Sequence, residues 1–180
     1  MRGKAKPIPT KYKGTQYRSK LEARWAVFFD EMGIEFIYEP EGYDLDGTYY
    51  LPDFWLPQVK MWAEVKPCVL TKEEARKCQL LCNATDRRCL LLEGPPACRS
   101  YWGLSPSRDE EDDDYWYSED ADYIINTHYL NENRFFRDTG YPRERPATDK
   151  EYIFLDDYVA AVNKARLAFS WGVTPGMFPA

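Results

Sequence analysis

Histidine is almost absent: the 180 residues contain one, His128. That scarcity argues against sites built from two or more imidazoles, multi-histidine zinc centres among them, and His128 itself is expected to be structural. Long hydrophobic runs are also missing. No stretch approaches 18 apolar residues, which excludes a transmembrane helix. The opening MRGKAKPIPTKYKG is basic with no apolar segment behind it, against a secretory signal. An even cysteine framework is lacking too. Five cysteines in a chain of ordinary size fit a reducing compartment, so a cytoplasmic location is expected. There are no internal repeats. The length suits one domain with a core of its own, burying roughly 70% of its unfolded surface.

The net charge of −6 is unevenly spread. Residues 1–28 hold eight Lys/Arg against one acid, Glu22, whereas residues 109–122 (DEEDDDYWYSEDAD) hold nine acids and no base. The rest is a mildly basic body. The basic arm is either a solvated terminus or a phosphate contact. The acidic tract is either a solvated loop or a segment that binds a protein partner or covers the basic face. Tyr115, Trp116 and Tyr117 inside it either stack on bases or anchor the loop.

The patterning predicts a helix over 17–32. Leu21, Trp25, Phe28, Phe29 and Met32 recur at helical spacing, with Gly33 as a stop. Ser19 is its expected cap, with Glu22 three residues on as in a capping box. Residues 34–39 read as a strand, 40–47 as turn and loop, and 48–56 as a second strand with Pro52 at an edge or bulge. Pro57-Gln58 turns the chain into a third strand, 59–66. A second helix over 71–83 is capped by Thr71, and 88–93 is a buried strand. The order is αβββαβ: a mixed central sheet flanked by helices. Residues 94–150 are hard to read beyond a short strand near Ala121–Ile125, and 155–171 form a closing helix with Leu155, Val159, Val162, Ala165, Arg166 and Phe169 along one side. The chain thus divides into a basic arm (1–16), a folded core (17–103), an acidic, irregular insert (104–150) and a C-terminal helix (151–180) packing on that core.

Chemistry concentrates in residues 50–67. Asp53 is followed eleven residues later by Glu64-Val65-Lys66. On a strand, Glu64 and Lys66 share a face and Val65 points into the core. A short turn folds Asp53 back beside them. Two carboxylates beside one ammonium are costly unless a cation resolves the repulsion. Asp53, Glu64 and the Val65 carbonyl are hard oxygen donors suited to Mg²⁺, with Mn²⁺ as a substitute. Such an ion activates water against a phosphodiester. Lys66, held protonated by the carboxylates, would stabilise charge developing on phosphorus. Glu22 would complete the set, with room for a second metal. Singly, Pro-Asp is a common turn and Glu-x-Lys a common solvated pair. Their conjunction on adjacent strands between two helices favours the metal site.

At this point the sequence resembles the PD-(D/E)XK nuclease superfamily, with Pro52-Asp53 and Glu64-Val65-Lys66 as the signature. Arg18-Ser19 before Glu22, Tyr38-Glu39 and Pro52-Asp53-Phe54 look most similar to phage-type junction-resolving endonuclease I and to the TnsA-type endonuclease of bacterial transposons. The resemblance covers about residues 17–93. It implies a restriction-endonuclease-like fold and a metal-dependent DNA endonuclease with Glu22, Asp53, Glu64 and Lys66 as active site. It further implies a phage or mobile-element source, a bacterial or phage-infected host cell as location, a possible homodimer, and selectivity for branched DNA. The phage resolvases are basic to their C-terminus, whereas this chain carries the acidic tract.

Lys11, Lys13, Arg18 and Lys20, next to the first helix, are the expected DNA-backbone contacts, which position DNA without reading its sequence. Glu39 is a further metal ligand or a supporting group. Cys78, Cys82, Cys89 and Cys98 invite a zinc or iron–sulfur reading, but the first three fall at core positions. Two readings compete with the nuclease: a non-catalytic or partner-activated subunit of the same fold, and an acidic protein that mimics DNA.

Overall fold

A computed structural model of the chain describes residues 6–98, 101–106, 122–125, 136–138 and 156–170. In chain order the elements are β1 (Thr10–Tyr12), β2 (Thr15–Tyr17), α1 (Lys20–Glu31), β3 (Ile37–Tyr38), β4 (Tyr43–Leu45), β5 (Thr48–Tyr50), β6 (Phe54–Leu56), β7 (Met61–Lys66), α2 (Lys72–Thr85), β8 (Cys89–Glu93), β9 (Tyr101–Leu104), β10 (Asp122–Ile125), β11 (Phe136–Asp138) and α3 (Asp156–Leu167). Seven strands form one mixed sheet in the order β11-β10-β9-β8-β7-β6-β3. Only β7 and β8 run parallel, with Glu64 opposite Leu91. Parallel neighbours need a crossover, and α2 supplies it. The fold is mixed α/β. Counting only members of this sheet, residues 20–93 run αβββαβ, as the sequence pattern predicts.

Alternation along the strands builds a core on each face. Ala63, Val65, Leu90 and Leu92 pack against Trp25, Phe28 and Phe29 of α1 and Tyr158, Ala161, Val162 and Ala165 of α3. Trp62, Cys89 and Leu91 pack on the other face against Cys78, Leu81 and Cys82 of α2 and Leu45 of β4. Val65 therefore does point into a core, and the three cysteines are core residues between α2 and the sheet.

Several boundaries differ from the sequence expectation. Residues 10–17, expected to be unstructured or helical, form a hairpin. Its turn, Lys13-Gly14, takes positive φ at both positions (44° and 86°), the backbone a two-residue hairpin needs. Tyr12 and Tyr17 fasten it to the α1 core. The basic arm is thus partly folded. The strand expected over 34–39 is reduced to β3, and the loop expected over 40–47 contains β4. The strand expected over 48–56 is two strands in different sheets: β5 pairs with β4, β6 with β7. Pro52 makes no bulge; it lies where the chain passes between sheets and no ladder N–H is called for. The buried side of α3 carries Tyr158, Ala161, Val162 and Ala165, while Val159 and Arg166 are exposed. The expected stripe is rotated because Tyr158 anchors the helix, its hydroxyl donating to the Ala97 carbonyl at 3.0 Å. The acidic tract 109–121, with Tyr115, Trp116 and Tyr117, and His128 lie outside the described residues, as does Leu155.

Candidate active site

The site forms where α1, β6 and β7 meet at one end of the sheet. Ser19 caps α1, its hydroxyl oxygen accepting from Glu22 N–H at 3.1 Å. The Glu22 carboxylate makes no capping-box bond to the Ser19 backbone. It takes the Ser19 hydroxyl (2.6 Å), the Arg18 N–H (3.2 Å) and the Tyr38 hydroxyl (2.5 Å). These three donors hold Glu22 at the helix start, turned towards β6.

Asp53 sits in the residue before β6. The β6–β7 register, Phe54 opposite Ala63, brings it level with Glu64. The Asp53 Oδ2 accepts from Val65 N–H at 2.8 Å, and Asp53 N–H approaches Glu64 Oε2 at 3.4 Å. Because a strand residue sends its N–H and C=O to the same edge, the Val65 carbonyl also faces Asp53. Lys66 reaches Glu64 Oε1 at 2.7 Å, as two residues on one strand face should. Gly94 N–H donates to the Lys66 carbonyl at 2.7 Å and fixes the end of β7.

Arg18 closes the arrangement. Its Nη2 meets Asp53 Oδ1 at 2.8 Å and its Nε pairs with Glu39. Glu39 itself has φ of 45°, uncommon outside glycine, and its N–H donates to the Asp53 carbonyl at 2.9 Å. If all are ionised, four acids (Glu22, Glu39, Asp53, Glu64) face two bases (Arg18, Lys66), leaving two negative charges uncompensated.

Glu22, Asp53 and Glu64 are 8%, 4% and 3% exposed, and they are the only buried charged residues among those described. All three line one cleft of about 450 Å³ with Arg18, Val65 and Lys66. Burial, then the charges of Glu64 and Glu22, push the Asp53 carboxyl well above its usual range against the Val65 N–H and Lys66. Burial works against the Lys66 ammonium, but Glu64 and Asp53 outweigh it and raise its pKa, keeping it a cation. Burial and the bond to Glu22 raise Tyr38 and hold its hydroxyl as a donor.

The residues that the sequence singles out fall into two groups. Glu22, Asp53, Glu64, Val65 and Lys66 converge on the cleft. Of the expected DNA contacts, Arg18 lies inside the acidic cluster, and Lys13 pairs with Asp30 at 3.0 Å on the other side of the hairpin. Lys11 and Lys20 do not line the cleft. The Glu39 side chain meets the cluster through Arg18, and its backbone N–H donates to the Asp53 carbonyl. Sequence reasoning did not anticipate that Tyr38 holds Glu22 or that Tyr49 and Pro7 also line the cleft.

Among the described residues no three His, Cys, Asp or Glu side chains form a ready-made metal cage. The donors at the cleft are nevertheless all oxygens, most of them on three buried, mutually repelling carboxylates. That set fits Mg²⁺, which keeps most of its waters and is held by one or two carboxylates plus substrate phosphate. Comparisons of the chain with protein-family models, with curated proteins and with solved structures find no match.

Proposed function

We propose that this protein is a metal-dependent DNA endonuclease with a restriction-endonuclease-like fold, of the PD-(D/E)XK type that its sequence resembles. One observation carries the reading: the only three buried acids among the described residues meet at one cleft beside the partly exposed Lys66. Burying repelling carboxylates costs stability, which is expected where function requires their charge.

Asp53, Glu64 and the Val65 carbonyl would hold Mg²⁺ or Mn²⁺, with Glu22 completing the set. When bound, the ion supplies a Lewis acid and makes nearby water more acidic. The remaining work belongs to the chain. Lys66 stays protonated against Glu64 and offers a fixed positive charge to the phosphoryl oxygens as negative charge grows there. Arg18, held beside Asp53 and Glu39, would donate to the same phosphate. Glu22, fixed by Ser19 and Tyr38, would orient water in the cleft. The water oxygen bonds to phosphorus and gives up a proton to solvent, one P–O bond breaks, and the leaving oxygen takes a proton from solvent. No helix lies free to read a major groove among the described residues, which favours structure-selective or non-specific cutting.

Plasmid and four-way-junction DNA incubated with Mg²⁺ or Mn²⁺ test this. Cutting by the wild type that EDTA stops, and that Asp53→Ala and Lys66→Ala each reduce by about a hundredfold or more, is expected. Cutting that survives Asp53→Ala would overturn the assignment.

A further inference from the structure

The chemistry above uses only part of the lining of the cleft. The rest of the lining is Tyr49, Tyr50 and Leu51 with Pro7 of the N-terminal segment. Tyr49 is 73% exposed, the most open aromatic ring in the described structure, yet it is firmly presented. It stands on β5 in a hairpin whose Asp46-Gly47 turn has positive φ at both residues (51° and 78°). Gly47 N–H donates to Asp44 Oδ1 at 2.8 Å within that turn. Leu45 packs the hairpin into the α2 core. The next residue, Tyr50, points inward and meets Cys78 Sγ at 3.4 Å, so β5 cannot roll. The Tyr49 ring lies over Gly42, where a Cβ would come within 2.1 Å of its hydroxyl oxygen. Position 42 must be glycine for the ring to lie there.

A phosphate has no use for such a surface. An aromatic face held open at the rim of a cleft that takes phosphate suits stacking by a nucleobase. The cleft volume of about 450 Å³ lies within the range of small-ligand sites. A base inside a duplex is covered on both faces by its neighbours and has to leave the stack to reach a protein ring. Resting on the nuclease reading, we propose that Tyr49 stacks an unpaired base next to the scissile phosphate, so that the substrate is DNA carrying a single-stranded or splayed nucleotide at the cut.

The test compares cleavage of a duplex with that of the same duplex bearing a short single-stranded gap, for the full chain in Mg²⁺. The wild type is expected to cut the gapped DNA about tenfold faster or more. Tyr49→Ala should bring that ratio close to one, and Tyr49→Phe, which keeps the ring, should retain it. A wild type that prefers the duplex, or a Tyr49→Ala variant with the wild-type ratio, overturns the proposal. A second readout needs no cutting: quenching of 2-aminopurine in a single-stranded oligonucleotide bound to the Asp53→Asn variant, with and without Tyr49→Ala. If the wild type cuts neither DNA, the nuclease reading fails, and this readout decides the stacking site separately. Quenching that depends on Tyr49 supports it, and equal or absent quenching overturns it.

Discussion

Tyr38 shows how much of the site depends on groups that never touch a phosphate. Its hydroxyl donates to Glu22 and accepts the Arg18 N–H at 3.0 Å, tying the helix start to β3. Tyr38→Phe removes one oxygen and leaves both partners short of a bond. It should cost about 1 kcal/mol in urea denaturation. It should also slow cleavage several-fold, because Glu22 loses the donor that aims it. Unchanged stability and unchanged rate would mean that water replaces the hydroxyl without loss. At this scale the sequence was informative where spacing alone decides the geometry. Glu64 and Lys66 share a strand face by the period of two. Asp53 meets them because Pro57-Gln58 turns the chain back. Arg18 was legible as a basic residue beside Glu22 and an expected DNA contact. Its position between Asp53 and Glu39 depends on β3 and β6 being neighbours, which no local pattern states.

Among the elements, α1 and α2 were legible because each carries a complete set of signals. In α2, Thr71 and Glu74 form a reciprocal capping box, with Glu74 N–H to Thr71 Oγ1 at 3.2 Å and Thr71 N–H to Glu74 Oε2 at 2.8 Å. Thr71→Ala should cost about 1 kcal/mol, since it removes an N-cap acceptor. In a chain of this size that lowers Tm by about 2–4 °C. Thermal denaturation by circular dichroism checks it, and no change would show that α2 is held by packing alone. The two small hairpins were not read, although their turns left signals. Asp46-Gly47 is a strong two-residue turn, but the proline at 52 suggested one interrupted strand rather than two. Lys13-Gly14 lies in a lysine-rich stretch whose strands are too polar to show alternation. Their stability comes from Tyr12 and Tyr17 packing on α1, a tertiary effect. For the same reason β3 is short. Its pairing is limited to Ile37 and Tyr38 opposite Trp55 and Phe54, while Ile34 and Phe36 serve the core outside the ladder.

In the whole molecule, the two cores separate residues with different chemical fates. Cys78, Cys82 and Cys89 are buried between α2 and the sheet, while Cys68 and Cys98 are exposed. The adjoining Cys78 and Cys82, then burial, push the Cys89 thiol well above its usual value and keep it unreactive. A thiol-reactive dye should therefore label two cysteines quickly in the native protein and all five after denaturation. Rapid labelling of a third would show that the α2 core opens. No helix among the described residues is long and apolar enough to cross a membrane. Among the described residues the buried charge lies at one place, where the two cores leave a gap between α1, β6, β7 and the β4–β5 hairpin. Everything proposed about activity depends on those carboxylates being buried in order to hold a divalent cation. Calorimetric titration of Mn²⁺ into the wild type and into Asp53→Asn tests that most directly. Saturable binding to the wild type that Asp53→Asn abolishes is the predicted result; wild-type binding no stronger than that of Asp53→Asn would contradict the account.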